Sequence, residues 1–290
     1  MLTGCLTALV TPFRDGAVDH PALAALVEAQ IAGGVHGLVP CGSTGESATL
    51  THDEHVAVVR TVVEAARRRV PVVAGTGSNA TAEAIRLTRA AEEAGADAAL
   101  LISPYYNRPT QEGIVRHYAA VAEATRLPLI PYNIPGRTAS NITPDTMARL
   151  ARIRNVVGVK EASGSLEQVQ HVLAACGPDF AVYSGDDVLT LPIMAVGGKG
   201  VISVTANVAP RRMADLAAVL LADDLARGRA VMRELLPLMR VLFLEVNPIP
   251  VKTALALMGA CAEEFRLPLT PMTPANRATL EAVLREQRLV

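Results

Sequence analysis

The sequence predicts an α/β protein that folds as a (β/α)₈ TIM barrel with a helical appendage at its C-terminus. Apolar runs of strand length alternate with segments in which apolar residues recur every three or four positions, and this alternation occurs eight times between Thr3 and Leu221. A barrel of this kind typically takes about 250 residues. The chain has 290 residues, and beyond Ala222 only helical patterns follow.

Each predicted strand is followed by a predicted helix. The strands are residues 3–10, 37–40, 71–75, 98–103, 129–132, 156–160, 180–184 and 200–203. The helices are, in the same order, residues 21–32, 51–69, 81–94, 111–125, 144–152, 166–175, 187–196 and 210–221. Thr51 stands three residues before Glu54, as in a capping box, and Thr143 precedes Pro144. A doubly wound sheet is the alternative, but no G-x-G-x-x-G motif opens the first helix.

The C-terminal part of the chain predicts helices without strands. Their patterns cover roughly residues 224–244, 250–258 and 274–288. We therefore divide the chain into a barrel, residues 1–222, and a helical region, residues 223–290. We expect the second part to pack on the barrel or on a neighbouring subunit.

Composition excludes several classes of protein. Half of the residues are hydrophobic and the formal net charge is −1, so a large core is available and no nucleic-acid footprint is expected. The basic run Arg67-Arg68-Arg69 closes a helical pattern, where it complements the helix dipole. No apolar run reaches membrane-spanning length, and no basic-then-apolar leader opens the sequence. His52 and His55 lack H-E-x-x-H spacing, so no metal site is predicted.

The cysteines indicate a reducing compartment. They are four and scattered, without C-x-x-C spacing: Cys5, Cys41, Cys176 and Cys261. This distribution is typical of free thiols and not of a disulfide framework or a zinc site. We expect a cytoplasmic protein.

A lysine closes the sixth predicted strand. Residues 156–159 are apolar or glycine, and Lys160 follows them. Only three of the 27 basic residues are lysines. Arginine stays charged under nearly all conditions, whereas a lysine that loses its hydration on burial can lose its proton and become a nucleophile. The alternative is that Lys160 ends its strand at the surface and pairs with Glu161.

Polar side chains follow the ends of the predicted strands. In a barrel, these ends and the loops after them meet at one mouth. The polar segments are residues 40–47, 103–107, 132–138, 160–164, 184–187 and 203–207. Hydroxyls, phenols, one arginine and one lysine would then face a common space, which suits proton transfer around an amine.

Each of these groups also has a simpler interpretation. The segment Gly42-Ser43-Thr44-Gly45 could form an anion-binding turn, and because no lysine follows it as in a P-loop, a carboxylate is favoured over a phosphate. Tyr132 and the pair Tyr105-Tyr106 could be packing residues. Arg137 could be an exposed turn residue, although a rigid turn also holds a guanidinium well for a carboxylate.

The motifs together resemble those of the dihydrodipicolinate synthase / N-acetylneuraminate lyase family of class I aldolases, over essentially the full length of the chain. The segments that carry the resemblance are Gly42-Ser43-Thr44-Gly45-Glu46, Tyr105-Tyr106, Tyr132 to Thr138, Gly158 to Ala162, Ser184 to Asp187, Gly200 to Ser203 and Asn247 to Lys252. Gly136-Arg137-Thr138 favours the branch that condenses pyruvate with aspartate semialdehyde in lysine (diaminopimelate) biosynthesis. The alternatives are lyases of sialic acids or of 2-keto-3-deoxy sugar acids and, from another class, a non-catalytic regulatory barrel.

The resemblance implies a carbon–oxygen lyase in which Lys160 forms a Schiff base with pyruvate. Tyr132 would shuttle protons through Ser43 to Tyr106, which the family donates from a neighbouring subunit. The resemblance assigns pyruvate binding to Thr44, Gly185 and Ile202, and binding of the aldehyde substrate to Arg137. The covalent pyruvate imine is the only group expected on the enzyme, with no separate cofactor or metal. The family suggests a homotetramer built as a dimer of dimers.

Two further points follow from the resemblance. The family's synthases usually have two threonines where this chain has Ser43-Thr44, and Gly-Ser-Thr-Gly-Glu is common among the lyases. Serine keeps the hydroxyl with a less restricted rotamer, so we expect the relay to be retained. The positions that resemble an inhibitory site for L-lysine at a subunit interface are Ser47, Ala48, His52, His55, Asn79, Glu83 and Tyr105. Ordinary polarity at helix starts is the alternative for these residues.

Overall fold

The computed structural model describes residues 2–290, and its centre is a barrel of eight parallel strands. The strands are β1 (Gly4–Ala8), β2 (Gly37–Val39), β3 (Val73–Gly75), β4 (Ala98–Ile102), β5 (Leu129–Asn133), β6 (Gly158–Glu161), β7 (Ala181–Ser184) and β8 (Gly200–Ser203). Their order in the sheet is β2-β1-β8-β7-β6-β5-β4-β3, and a bridge between Leu38 and Val72 joins the two edge strands. The predicted barrel is therefore confirmed.

Helices follow the strands and surround the barrel. They are α1 (His20–Ala32), α2 (His52–Ala66), α3 (Thr81–Glu93), α4 (Gln111–Glu123), α5 (Pro144–Leu150), α6 (Leu166–Cys176), α7 (Thr190–Ala195) and α8 (Pro210–Leu221). The capping box at Thr51 is formed, and the Thr143 hydroxyl accepts from the N–H of Thr146. The helix predicted at 187–196 divides into a 3₁₀ turn at Asp187–Leu189 and the short α7.

Besides two short 3₁₀ turns, at Ser47–Thr49 and Thr205–Asn207, two small elements were not predicted. A two-stranded hairpin pairs Phe13–Arg14 with Ala17–Val18, and Asp15 and Gly16 at its turn both have positive φ. Asp-Gly is a common hairpin turn, but strands of two residues are too short to show an alternating pattern. The other element is a one-turn helix at Pro135–Thr138, which holds Arg137 directly after β5.

Three helices form the C-terminal region, as predicted: α9 (Leu225–Val241), α10 (Ile249–Leu257) and α11 (Pro274–Glu286). Their apolar faces share one hydrophobic cluster with the outer face of the barrel, in which Leu238 and Leu284 pack with Cys5 and Val201. Burial of this apolar surface holds α9 against α7 and α8, and α8 in turn packs on strands β1 and β8.

A buried ion pair also joins this region to the barrel. The Nζ atom of Lys252, on α10, lies 2.6 Å from Oε1 of Glu46, which follows β2, and the two side chains are 0% and 1% exposed. Breaking such a pair by removing one partner typically costs roughly 3–5 kcal/mol, because the other charge stays buried. The pair therefore fixes the loop after β2 to the start of α10.

Helix length and polarity also bear on membrane insertion. The longest helix, α9, has 17 residues, with Pro237 inside it. Within residues 2–290, no helix combines the length and the apolar character needed to cross a bilayer.

Candidate active site

Strand register directs Lys160 into the barrel. Lys160 on β6 is aligned with Tyr132 on β5 and with Tyr183 on β7, and both tyrosines belong to the interior cluster of the barrel. Aligned residues on neighbouring strands point to the same face of a sheet. The Lys160 side chain, which is 5% exposed, therefore lies inside the barrel at the C-terminal end of its strand.

The alternative of a surface pair with Glu161 is wrong. The Glu161 carboxylate is buried and accepts hydrogen bonds from Asn133 Nδ2 at 3.0 Å, from the N–H of Ser163 at 2.7 Å and from Gln168 Nε2 at 3.2 Å. Neighbouring residues on a strand point to opposite faces, so this carboxylate and the Lys160 amine are separated by the sheet. No salt bridge to Lys160 occurs in residues 2–290.

Burial lowers the pKa of Lys160 to about 8. The negative charge of Asp187 opposes this shift, and the positive charge of Arg137 adds to it. A lysine in water has a pKa of about 10.4 and is almost entirely protonated at neutral pH. The barrel interior thus provides an appreciable fraction of free amine near neutrality, which is the form that attacks a carbonyl.

Tyr132 lies directly against this amine. The Nζ atom of Lys160 is 4.2 Å from the centroid of the Tyr132 ring. Burial raises the pKa of Tyr132, an effect that Arg137 reduces and Asp186 reinforces. The phenol therefore stays protonated near neutral pH. It can donate or relay a proton, but it is not a base before it has given up its own proton.

Gly185 lies so close to Ala162 and to the Lys160 side chain that a residue with a Cβ atom would collide with its neighbours. A Cβ atom at this position would lie 2.7 Å from Cβ of Ala162 and 3.2 Å from Cε of Lys160. The first distance is too short for two carbons, and the N–H of Gly185 is tied to the carbonyl of Glu161 at 2.8 Å. Glycine is therefore required here by close approach. Ile202, on β8, lies in the barrel interior with Tyr132.

Asn247, to which the sequence assigned no role, contacts two other predicted substrate-binding residues, Thr44 and Arg137. Asn247 Nδ2 donates to Thr44 Oγ1 at 3.0 Å, and the carbonyl of Asn247 accepts from the Arg137 guanidinium at 3.0 Å. Thr44 and Asn247 are buried, whereas Arg137 is exposed. The only earlier signal for Asn247 is its place in the segment Asn247 to Lys252, which takes part in the resemblance.

A cavity of ≈ 400 Å³ opens above the barrel. Ser43, Tyr132, Arg137 and Asn247 line one part of it. The cavity wall thus carries a phenol, a hydroxyl and a guanidinium, and the Lys160 amine, which does not itself line the cavity among residues 2–290, lies 4.2 Å from the Tyr132 ring. These groups suit attack on the carbonyl of a keto acid whose carboxylate is bound by a hydroxyl or by the arginine.

One predicted residue lies away from the cavity of its own chain. Tyr106 is 89% exposed, has a φ of +72° and is not among the lining residues within the described part of the chain. A positive φ is uncommon for a bulky residue. Nor does any hydrogen bond join the Ser43 hydroxyl to Tyr132 within residues 2–290. A continuous relay from Tyr132 through Ser43 to Tyr106 is thus not formed in the single chain.

Comparison with known proteins agrees with this geometry. The model of the dihydrodipicolinate synthetase family matches residues 1–287.

The chain belongs to the dihydrodipicolinate synthetase family.

A 4-hydroxy-tetrahydrodipicolinate synthase of Geobacter sulfurreducens is 55% identical over 290 residues, which is 100% of each chain. The crystal structure of a dihydrodipicolinate synthase (DHDPS) of Acinetobacter baumannii in complex with pyruvate is 45% identical, with a TM-score of 0.98 and 100% of both chains covered. A DHDPS of Cyanidioschyzon merolae with lysine bound is 39% identical, with a TM-score of 0.97, covering 100% of this chain and 99% of that one. The family resemblance and the barrel are confirmed.

The positions that resemble the family's lysine site lie at the other end of the cavity. Ser47, Ala48, His52, His55, Glu83 and Tyr105 line it. Nε2 of His52 lies 2.7 Å from Oε1 of Glu83, and the other carboxylate oxygen of Glu83, Oε2, accepts from the Ser78 hydroxyl. His55 is buried and donates to the carbonyl of Gly75 at 2.7 Å. Asn79 does not line this cavity; its carbonyl accepts from Asn107 Nδ2 at 2.8 Å.

The pKa of Lys160 predicts how the rate of imine formation depends on pH. Only the free amine attacks pyruvate, so the rate constant of imine formation, followed by rapid mixing with pyruvate and quenching with borohydride, should rise about tenfold per pH unit well below the pKa and level off above pH about 8. Because the Arg137 charge lowers this pKa, an Arg137→Met variant should have its midpoint at higher pH.

Arg137→Lys keeps the positive charge and is the matched control, so its midpoint should move less. A midpoint that is unchanged, or lower, in Arg137→Met would contradict the electrostatic role of the guanidinium.

Proposed function

We propose that this chain is a 4-hydroxy-tetrahydrodipicolinate synthase, a carbon–oxygen lyase that condenses pyruvate with L-aspartate 4-semialdehyde in lysine biosynthesis. The observation that carries the proposal is the Lys160 amine, which is buried, free of a carboxylate partner and 4.2 Å from the Tyr132 ring. The synthase from Geobacter sulfurreducens and the pyruvate complex from Acinetobacter baumannii support this assignment.

The first stage is formation of the imine. The Lys160 amine attacks the keto carbon of pyruvate, and the carbonyl oxygen leaves as water after receiving protons. Tyr132 is the nearest phenol and supplies a proton in this stage. The Thr44 hydroxyl, held by Asn247, donates to the pyruvate carboxylate. Gly185 leaves the space that the imine carbon needs beside Lys160 Cε.

The second stage is carbon–carbon bond formation. The protonated imine draws electrons from the methyl group, and the phenolate left on Tyr132 by the first stage takes a methyl proton, which gives an enamine. The enamine carbon attacks the aldehyde carbon of the semialdehyde, whose carboxylate Arg137 binds, and the aldehyde oxygen takes that proton from Tyr132 to become a hydroxyl. The substrate's own amine then attacks the imine carbon, which closes the ring and releases Lys160. The negative charge of Asp187, which favours the charged form of the Lys160 nitrogen, also favours a protonated imine.

This chemistry needs no separate cofactor, because the imine itself is the electron sink. We accordingly propose that the enzyme works without a bound metal or organic group. We also place it in the cytoplasm, an assignment supported by four free cysteines.

Reductive trapping tests the proposal directly. Incubation with pyruvate and borohydride should add one reduced pyruvyl group to the peptide that contains Lys160, as seen by peptide mass analysis. The peptide with Lys252 provides an internal control, because that amine is buried and paired with Glu46. Modification of neither peptide, or of Lys252 alone, would leave the proposal without a nucleophile.

Substrate profiling separates the synthase from its relatives. The sequence Gly42-Ser43-Thr44-Gly45-Glu46 keeps cleavage of a sialic acid or a 2-keto-3-deoxy sugar acid as the second candidate. A synthase consumes aspartate semialdehyde in the presence of pyruvate and does not release pyruvate from those sugar acids. The opposite pattern would assign the chain to the lyases.

We further propose that the site is completed by Tyr106 from a second copy of the chain, within a homotetramer built as a dimer of dimers. The exposed phenol and the positive φ at Tyr106 support this proposal. Buried partners on another subunit would explain why a bulky aromatic residue extends from the surface in a strained backbone conformation.

Complementation tests the sharing of Tyr106. Lys160→Ala and Tyr106→Phe chains should each have low activity, and mixed oligomers, co-expressed with two tags and purified on both, should regain activity. In a mixed dimer about half of the sites then combine an intact lysine with an intact tyrosine. If the tyrosine acted within its own chain, mixed oligomers would be no more active than the parents.

We propose that the cluster around His52 and Glu83 binds L-lysine as an inhibitor. The Glu83 carboxylate suits an ammonium group, and the lysine complex from Cyanidioschyzon merolae is a structural relative. We expect millimolar L-lysine to inhibit the enzyme, and Glu83→Gln to weaken the inhibition without a matching loss of activity. Glu112→Gln, which removes an exposed carboxylate elsewhere on the surface, is the control. Wild-type activity that is insensitive to lysine would refute the proposal.

A further inference from the structure

Asn247 lies in the C-terminal region, two residues before α10, and contributes to the wall of the catalytic cavity. Its side chain is only 6% exposed, and the residue lines the same space as Ser43, Tyr132 and Arg137. The barrel strands and their loops therefore do not form the whole wall of the cavity. Asn247, which the C-terminal region supplies, is a candidate for a role in the reaction.

This residue contacts the binding groups of both substrates. Its Nδ2 donates to Thr44 Oγ1 at 3.0 Å, and its backbone carbonyl accepts from the Arg137 guanidinium at 3.0 Å. The remaining oxygen, Oδ1, is enclosed and has no hydrogen-bond partner among residues 2–290. An unpaired buried amide oxygen lowers stability, so packing alone does not account for an asparagine here.

The direction of the hydrogen bond between Asn247 and Thr44 has a chemical consequence. A threonine hydroxyl has one hydrogen to donate and lone pairs to accept with. Because the Asn247 amide N–H donates to this hydroxyl, the hydroxyl hydrogen is left for another acceptor. A substrate carboxylate accepts only. The amide thus prepares Thr44 to donate to the keto acid.

The surrounding structure keeps Asn247 in place. Lys252, five residues further along, forms the buried ion pair with Glu46, and Glu46 follows Thr44 by two residues. Arg266 reaches the same loop, since it donates to the carbonyl of Thr49 at 3.1 Å and to Glu54 Oε2 at 2.7 Å. Both partners of the Asn247–Thr44 hydrogen bond are therefore anchored.

We propose that Asn247 is a positioning residue with two separable functions. Its side-chain amide orients the Thr44 hydroxyl as a donor for the pyruvate carboxylate, and its backbone carbonyl holds Arg137 for the aldehyde substrate. The inference rests on the proposed function, and it assigns the specificity of the first substrate in part to the C-terminal region. Only the first of the two contacts depends on the side chain.

Substitution separates the two contacts. Asn247→Ala removes the amide and keeps the backbone carbonyl. The pyruvate concentration for half-maximal cyanoborohydride trapping should rise about three- to tenfold, as expected for the loss of one hydrogen bond. The KM for aspartate semialdehyde, measured at saturating pyruvate, should change less than about twofold, because the contact with Arg137 does not use the side chain.

Asn247→Asp tests the direction of the hydrogen bond. A carboxylate only accepts, so it would turn the Thr44 hydroxyl away from pyruvate and add a like charge beside the substrate carboxylate. The half-saturating pyruvate concentration should then exceed that of the alanine variant. Asn276→Ala is the control, because Asn276 lies in the same region and donates to Glu245 at 2.8 Å, and it should match the wild type.

The outcomes distinguish the two proposals. Trapping at Lys160 with the same half-saturation in the wild type and in Asn247→Ala would overturn the role of Asn247 and leave the proposed function intact. An aspartate variant that matches the wild type, or an equal rise of both constants with a lowered melting temperature in Asn247→Ala, would also overturn it. A wild-type protein that forms no imine would overturn both.

Discussion

The ion pair between Glu46 and Lys252 is the constraint that shapes the mouth of the barrel. It joins the loop after β2 to α10 across a sequence distance of 206 residues, and both side chains are excluded from water. A charge in this position is stable only with its partner, so the pair allows one relative placement of the two segments. Thr44 lies just before one end of the pair and Asn247 just before the other. The contact between them follows from this placement.

The two buried lysines show how environment decides chemistry. Burial lowers the pKa of Lys252, but the Glu46 carboxylate at 2.6 Å opposes this shift and compensates the charge. Burial also lowers the pKa of Lys160, to about 8, where the negative charge of Asp187 opposes the shift and the positive charge of Arg137 adds to it. Lys160 has no paired carboxylate among residues 2–290 and faces the Tyr132 ring. The same side chain is a paired cation in one place and the proposed nucleophile in the other.

Most of the predicted site residues lie together in the single chain, and Tyr106 lies apart from them. Tyr132, Ser43 and Arg137 line the cavity and the Lys160 amine lies 4.2 Å from the Tyr132 ring, whereas Tyr106 extends into solvent. A proton relay needs an unbroken series of hydrogen bonds, and within residues 2–290 no hydrogen bond joins Tyr132 to the Ser43 hydroxyl. The proposed second copy of the chain would supply Tyr106 to this incomplete series.

The sequence by itself determined the barrel, because strand–helix alternation is a local pattern, and it predicted that polar side chains collect at the strand ends. It also singled out Lys160 as a candidate nucleophile, whereas the roles of Tyr132, Thr44 and Arg137 are what the family resemblance implies. Only the tertiary structure decided that Glu161 turns away from Lys160, that Glu46 pairs with Lys252, and that Asn247 joins Thr44 to Arg137. These are contacts between residues that are far apart in the chain or that depend on the face of a strand. The local sequence pattern does not specify these contacts, because the distances between the residues are set only when the barrel closes and the charged groups are buried.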